Sequence, residues 1–112
     1  MRPIAILPIG TVNLHTGDNH MFNVLSTWAN STFLLVQDAN DTLRGISSCS
    51  SLESMQKHYP INGYLEFVHD QTRKRVGNAS HKVLSIHPLT PDGFATVQLA
   101  YGIKALQMAT FK

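Results

Sequence analysis

Cysteine is nearly absent: Cys49 is the single thiol in 112 residues. One thiol excludes an intramolecular disulfide framework and a zinc site built from cysteine clusters. Charge is also sparse. Asp, Glu, Lys and Arg together make 14% of the chain, and the formal balance is +2. Sparse charge beside 43% apolar residues excludes a disordered chain. The +2 balance carries no chain-wide nucleic-acid signature. No stretch approaches the roughly 20 apolar residues that span a bilayer. The opening run Ile4-Ala5-Ile6-Leu7 is broken at Pro8 and is too short for a signal-peptide core. The expectation is therefore a cytoplasmic protein with no membrane partner. No HExxH, no H-x-x-x-H, no phosphate loop and no internal repeat occurs. Nothing in the sequence calls for a cofactor or a metal.

What is present suits one domain over residues 1–112. Residues 4–9 read as a first strand, and 10–17 as loop or short strand. Asp18 reads as an N-cap, with Met21, Phe22, Leu25, Trp28 and Ala29 placing an apolar stripe on a helix over 18–29. Phe33 to Gln37 is a strand. Asp38-Ala39-Asn40-Asp41 is turn chemistry, and Thr42 to Ser47 returns as the second half of a hairpin. Ser50 and Glu53 have capping-box spacing, which predicts a second helix over 51–58. Tyr64 to His69 and Lys82 to His87 are strands. Pro91-Asp92-Gly93 reads as a turn. Beyond it Ala95, Val97, Leu99 and Tyr101 alternate like one face of a strand over 94–101. The tail 103–111 fits strand or helix. The pattern predicts an α+β fold: a small, mostly antiparallel sheet, strongly curled or barrel-like in its C-terminal half, with two short helices packed on it.

Two stretches resemble known families. Gly10 to His58, through Phe33-Leu34-Leu35-Val36-Gln37-Asp38 and Leu43-Arg44-Gly45-Ile46, resembles one module of the CBS family. The resemblance implies a nucleotide site, but Ser48 and Ser51 stand where such modules carry Thr and Asp, so the ribose-holding carboxylate is missing. Arg73-Lys74-Arg75, Leu89 to Ala95 and Val97-Gln98-Leu99 are similar to the plasmid-borne SH3-like dihydrofolate reductases, in which a Val-Gln-Ile-Tyr run lines a shared pore. Here the Tyr is displaced to Tyr101, and that activity is not carried over.

Six histidines are many for so small a chain. They fall in separate segments with no ligand spacing. His69 and His87, at strand ends, are the pair chosen for a ligand site, with Gln98 and Tyr101 beside them. Position 87 shares a strand face with Val83 and Ser85 on simple alternation. Arg73, Lys74 and Arg75, joined by Lys82 and by His69 and His81, form a basic tip able to meet phosphates. Cys49 lies among serines before the second helix, and reads as a buried or half-buried thiol. His58, at the far end of that helix, reads as too distant to serve it. The functional expectation is a non-enzymatic binding or interaction module that self-associates as a homodimer. It takes a small molecule in a pocket or contacts a partner through residues 73–75. The alternatives are a nucleic-acid-binding accessory protein using that tip, and a small enzyme whose site forms between subunits from His69, His87 and Gln98.

Overall fold

A computed structural model describes residues 2–14 and 31–112. The helix expected over 18–29 lies outside the described residues. The described elements are strand β1 (Ile4–Asn13), β2 (Thr32–Gln37), β3 (Leu43–Ser48), helix α1 (Leu52–His58), β4 (Tyr64–Leu65), β5 (Phe67–His69), β6 (His81–Pro88), helix α2 (Pro91–Tyr101) and β7 (Ala105–Phe111). The strands form one mixed sheet in the order β4-β6-β2-β3-β7-β1-β5. The pairs β1–β7, β2–β3, β2–β6 and β4–β6 are antiparallel, while β1–β5 and β3–β7 are parallel. The expected α+β class with a curled sheet holds, and the parallel pairs make the sheet mixed.

The curl follows from one short segment. Residues 62–69 bond first to β6, through Asn62 N–H to Val83 O and Val83 N–H to Gly63 O at 2.8 Å each. The same segment then bonds to β1, where Ile4 N–H meets Glu66 O at 2.8 Å. β4 and β5 are the two ends of the strand order, yet only Glu66 separates them in sequence. The sheet is thus nearly a barrel, which leaves few unpaired edges.

β2 explains its own unbroken apolar sequence. Phe33, Leu34, Leu35 and Val36 are all fully buried. Leu34 and Val36 point inside the barrel with Ile6, Ile46, Phe67 and Val83. Phe33 and Leu35 point outside, into a second cluster with Leu106, Met108, Phe94 and Val97. A strand buried on both faces has no polar alternate positions. Each such side chain contributes roughly 1.5–3 kcal/mol by leaving water. α1 caps the interior at one end through buried Met55. Its N-cap is Ser51, which accepts from Ser54 N–H at 3.1 Å, one residue later than the capping-box spacing indicated. The Ser50 carbonyl instead accepts from Ser31 and Thr32 hydroxyls.

Residues 91–101 overturn the strand expected over 94–101 and the turn at Pro91-Asp92-Gly93. They form α2, with Thr90 as N-cap, Pro91 in the first turn and Gly102 as a left-handed C-cap at φ 63°. Of the four alternating residues only Val97 is buried; Leu99 is 86% exposed. The buried set Gly93, Phe94 and Val97 has helical spacing. Gly93 is required by packing, because a Cβ there would strike the Pro88 carbonyl oxygen. The ambiguous tail becomes β7.

Two substitutions check this helix start. Thr90→Ala should lower stability by about 1 kcal/mol, the usual cost of a lost N-cap. Gly93→Ala should lower it by more, although alanine is the better helix former, since the Pro88 backbone cannot yield as a flexible side chain would. Urea unfolding measures both. A stabilised Gly93→Ala protein would disprove the close approach.

Candidate functional site

The barrel end opposite α1 stays open. There a cavity of about 380 Å³ is bordered by the polar side chains of Thr11, Arg44, His69, Arg75 and Gln107. Buried Ile6 and Ala109 supply its apolar lining, with Val76 beside them. No acidic side chain borders it among the described residues.

Arg44 is the fixed element of this cavity. It lies on β3 opposite Val36, on the inward face. Its Nη1 donates to Asp38 Oδ2 at 3.0 Å and to His81 Nε2 at 3.1 Å. Asp38 directly follows β2 and is 6% exposed. Its carboxylate also accepts from Asn40 N–H, Thr42 N–H and Asn78 N–H at 2.9–3.1 Å. Burial alone would raise its pKa. The four hydrogen bonds to the charged form outweigh burial and lower it from 3.8 to about 2.

His81 opens β6 and is fully buried. Its ring stands edge-on to Phe67, with centroids 5.1 Å apart. Arginine can only donate, so His81 Nε2 must accept, and the neutral ring carries its proton on Nδ1. That Nδ1 has no hydrogen-bond partner among the described residues. Burial, reinforced by the Arg44 charge, lowers the His81 pKa from 6.5 to about 4. Gly77 completes the packing at φ 76°, which favours glycine. A Cβ there would lie 2.8 Å from Arg44 Nη1 and from His81 Nε2.

The structure separates the residues singled out from the sequence. His69 sits on β5 opposite Ile6 and borders the cavity. His87 sits on β6 opposite Phe33 and faces the outer cluster. It bonds Ser85 Oγ through Nε2 at 2.7 Å, and burial lowers its pKa. The two histidines therefore face opposite sides of the sheet. A register shift between Leu35 and Val36 pairs them with Ser85 and Val83, skipping Leu84. That bulge corrects the simple alternation: Ser85 and His87 share a face, and Val83 turns inward. Gln98 is half-buried and Tyr101 is exposed, both on α2 rather than on a strand. The pore-lining strand suggested by Val97-Gln98-Leu99 is therefore absent.

The basic tip also spreads out. His69 N–H meets Lys74 O and Val76 N–H meets Phe67 O, so residues 67–76 form a small hairpin. Arg73, at φ 61°, borders a shallow depression with Arg2, Pro3 and Val68. Arg75 borders the barrel mouth and reaches Glu66 at 3.4 Å. Lys74 is exposed, and Lys82 lies on β6 opposite Gln37 and Tyr64. At the other barrel end Cys49 and His58 border one cavity near α1, and Cys49 is exposed rather than buried. His58 Nδ1 contacts Ser54 O at 2.8 Å. Among the described residues no group of three His, Cys, Asp or Glu side chains is placed to hold a metal. No helix in the described residues is long and apolar enough to cross a membrane.

Nothing in the local sequence joins Asp38, Arg44, Gly77 and His81 into one site. The only local signal was Asp38 at a turn.

Acid should expose this arrangement. His81 is held below its unfolded value, so its contribution is complete above pH 6.5 and is lost as pH falls toward 4. At about 1.4 kcal/mol per unit, the loss reaches at most roughly 3 kcal/mol. His87 adds in the same direction, from above its lowered value. Asp38 adds a further loss between pH 3.8 and about 2. Urea unfolding across this range should show the fall, and His81→Gln should flatten its upper part. An unchanged slope in the variant would place His81 outside this role. No family model, no curated protein and no solved structure matches the chain.

Proposed function

We propose that the protein is a binding module that takes a small molecule into the mouth of its barrel. The observation that carries this reading is the cavity of about 380 Å³, with buried Ile6 and Ala109 below polar Thr11, Arg44 and Gln107. Concave sites that hold small ligands combine apolar walls with a few fixed polar groups, at volumes of roughly 300–1,000 Å³. Arg44 has its position set by Asp38 and His81 before any ligand arrives. Preorganisation of this kind reduces the ordering cost of binding. The mouth contains no serine or cysteine nucleophile among its bordering residues, which favours binding over catalysis.

Contact with nucleic acid through Arg73, Lys74, Arg75 and Lys82 is the weaker alternative, since Arg73 and Arg75 border different depressions and Lys82 lies on β6. Pairing of two chains belongs to the same proposal, supported by Leu99, which is 86% exposed on α2. Sedimentation at rising concentration reads that pairing.

Gln107 is exposed at the rim, so Gln107→Trp should obstruct the mouth without unfolding the protein. A fragment-library titration followed by amide NMR shifts should perturb Thr11, Arg44, Gly77 and Gln107. The variant should bind the hits at least about tenfold more weakly, a 1.4 kcal/mol change. Hits that shift only residues 73–74 or α2 would defeat the reading, and so would turnover of a substrate by the purified protein.

A further inference from the structure

We infer that the ligand of the barrel mouth is a small organic carboxylate on a compact apolar body. The inference rests on the mouth being the binding site and adds the chemical class of what it binds.

Arg44 carries the first part. A guanidinium presents five N–H donors in a rigid planar fork that matches a carboxylate edge. Only Nη1 is engaged by Asp38 and His81. Among buried side-chain nitrogens and oxygens of the described residues, the one without a partner is His81 Nδ1. The Nε and Nη2 donors of Arg44 are thus not buried and unpaired. The Arg44 side chain keeps 16% of its surface exposed, and the cavity that it borders is the mouth. The fork is held still from behind by Asp38, with Gly77 packed against Nη1.

Charge carries the second part. Arg75 brings another guanidinium to the same cavity, tied only by a partly exposed contact to Glu66 at 3.4 Å. Such a contact is weak and yields readily. Neither Asp38 nor Glu66 borders the cavity. The Asp38 charge is also shared with three backbone N–H groups, so it does not fully offset Arg44. An anion entering the mouth meets two cations and no bordering carboxylate.

The walls decide between anions. Ile6, Val76 and Ala109 give nothing to a strongly hydrated ion. They favour an apolar body behind the charged group. Inorganic phosphate would leave these walls unused and would have to shed its hydration against them. A carboxylate with a short hydrocarbon or single-ring body uses both halves of the cavity.

The test titrates the full chain with benzoate and hexanoate, with benzamide and hexanamide as uncharged counterparts, and with inorganic phosphate. Amide NMR shifts at Thr11, Gly77 and Gln107 report the mouth. The carboxylates should bind at least about tenfold more tightly than their amides, as expected for charge-assisted hydrogen bonds. Arg75→Gln should remove much of that preference, and Arg44→Lys should weaken the carboxylates while keeping the charge. Arg75 is exposed, so the first variant stays informative if the second fails to fold. Equal binding of acids and amides at the mouth would overturn the carboxylate inference and leave the binding site standing. Phosphate binding as tightly as benzoate would also overturn it. No shift at the mouth with any probe would overturn the inference and the site together.

Discussion

The Asp38 carboxylate is the point on which the open end of the barrel depends. A buried charge is costly unless hydrogen bonds and an opposite charge surround it. Asp38 meets that demand with Arg44 and three backbone amides. Two of the amides belong to the turn between β2 and β3, and the third, Asn78, belongs to the loop before β6. Ala39 N–H adds a bond to Asn78 O at 2.9 Å. One side chain thus closes a turn, pins a distant loop and aims an arginine. The arginine then orders His81, and Gly77 leaves the room that both need. Such polar networks act as a unit, because each member left alone would be a buried group without its partner.

The rest of the fold makes that end the one that stays open. β2 is buried on both faces, so it can lie only in the middle of a sheet covered inside and out. α2 covers the outer face through Phe94 and Val97, with Phe94 stacked on Phe33 at 4.9 Å between ring centroids. The inner face is covered by the barrel's own curvature. Met55 of α1 plugs one end, near Tyr59 and Phe111, whose rings stack at 5.3 Å. The opposite end is bordered by charged and polar groups instead, and these leave a cavity rather than a dry seal.

Local chemistry made much of the fold legible. The Asp38–Asp41 turn between two apolar runs is the β2–β3 hairpin, with Leu35 paired to Gly45. Glu53 and the serines before it start α1, off by one at the cap. The start and stop of α2 are written in the sequence, with Thr90 and Pro91 at one end and Gly102 at the other, yet the same stretch also has the alternation of a strand. Alternation of Ala95, Val97, Leu99 and Tyr101 outweighed those signals. It carried no packing information, because Leu99 and Tyr101 are exposed. The bulge that skips Leu84 was illegible for a different reason. Register is a property of two strands, and β6 alone gives no hint of where β2 will force an extra residue.

The sequence by itself determined an α+β chain without disulfides, two short helices' worth of capping signals and a hairpin at Asp38. Those features depend on residues a few positions apart, which is the range over which side chains and backbone decide conformation. Only the tertiary structure decided which charged groups meet. It set His69 and His87 on opposite faces of the sheet, divided Arg73 from Arg75, and joined Asp38, Arg44 and His81 across 43 residues of chain. Those meetings follow from strand order and barrel closure, which arise from burial summed over the whole sheet and leave no local mark at the residues they bring together.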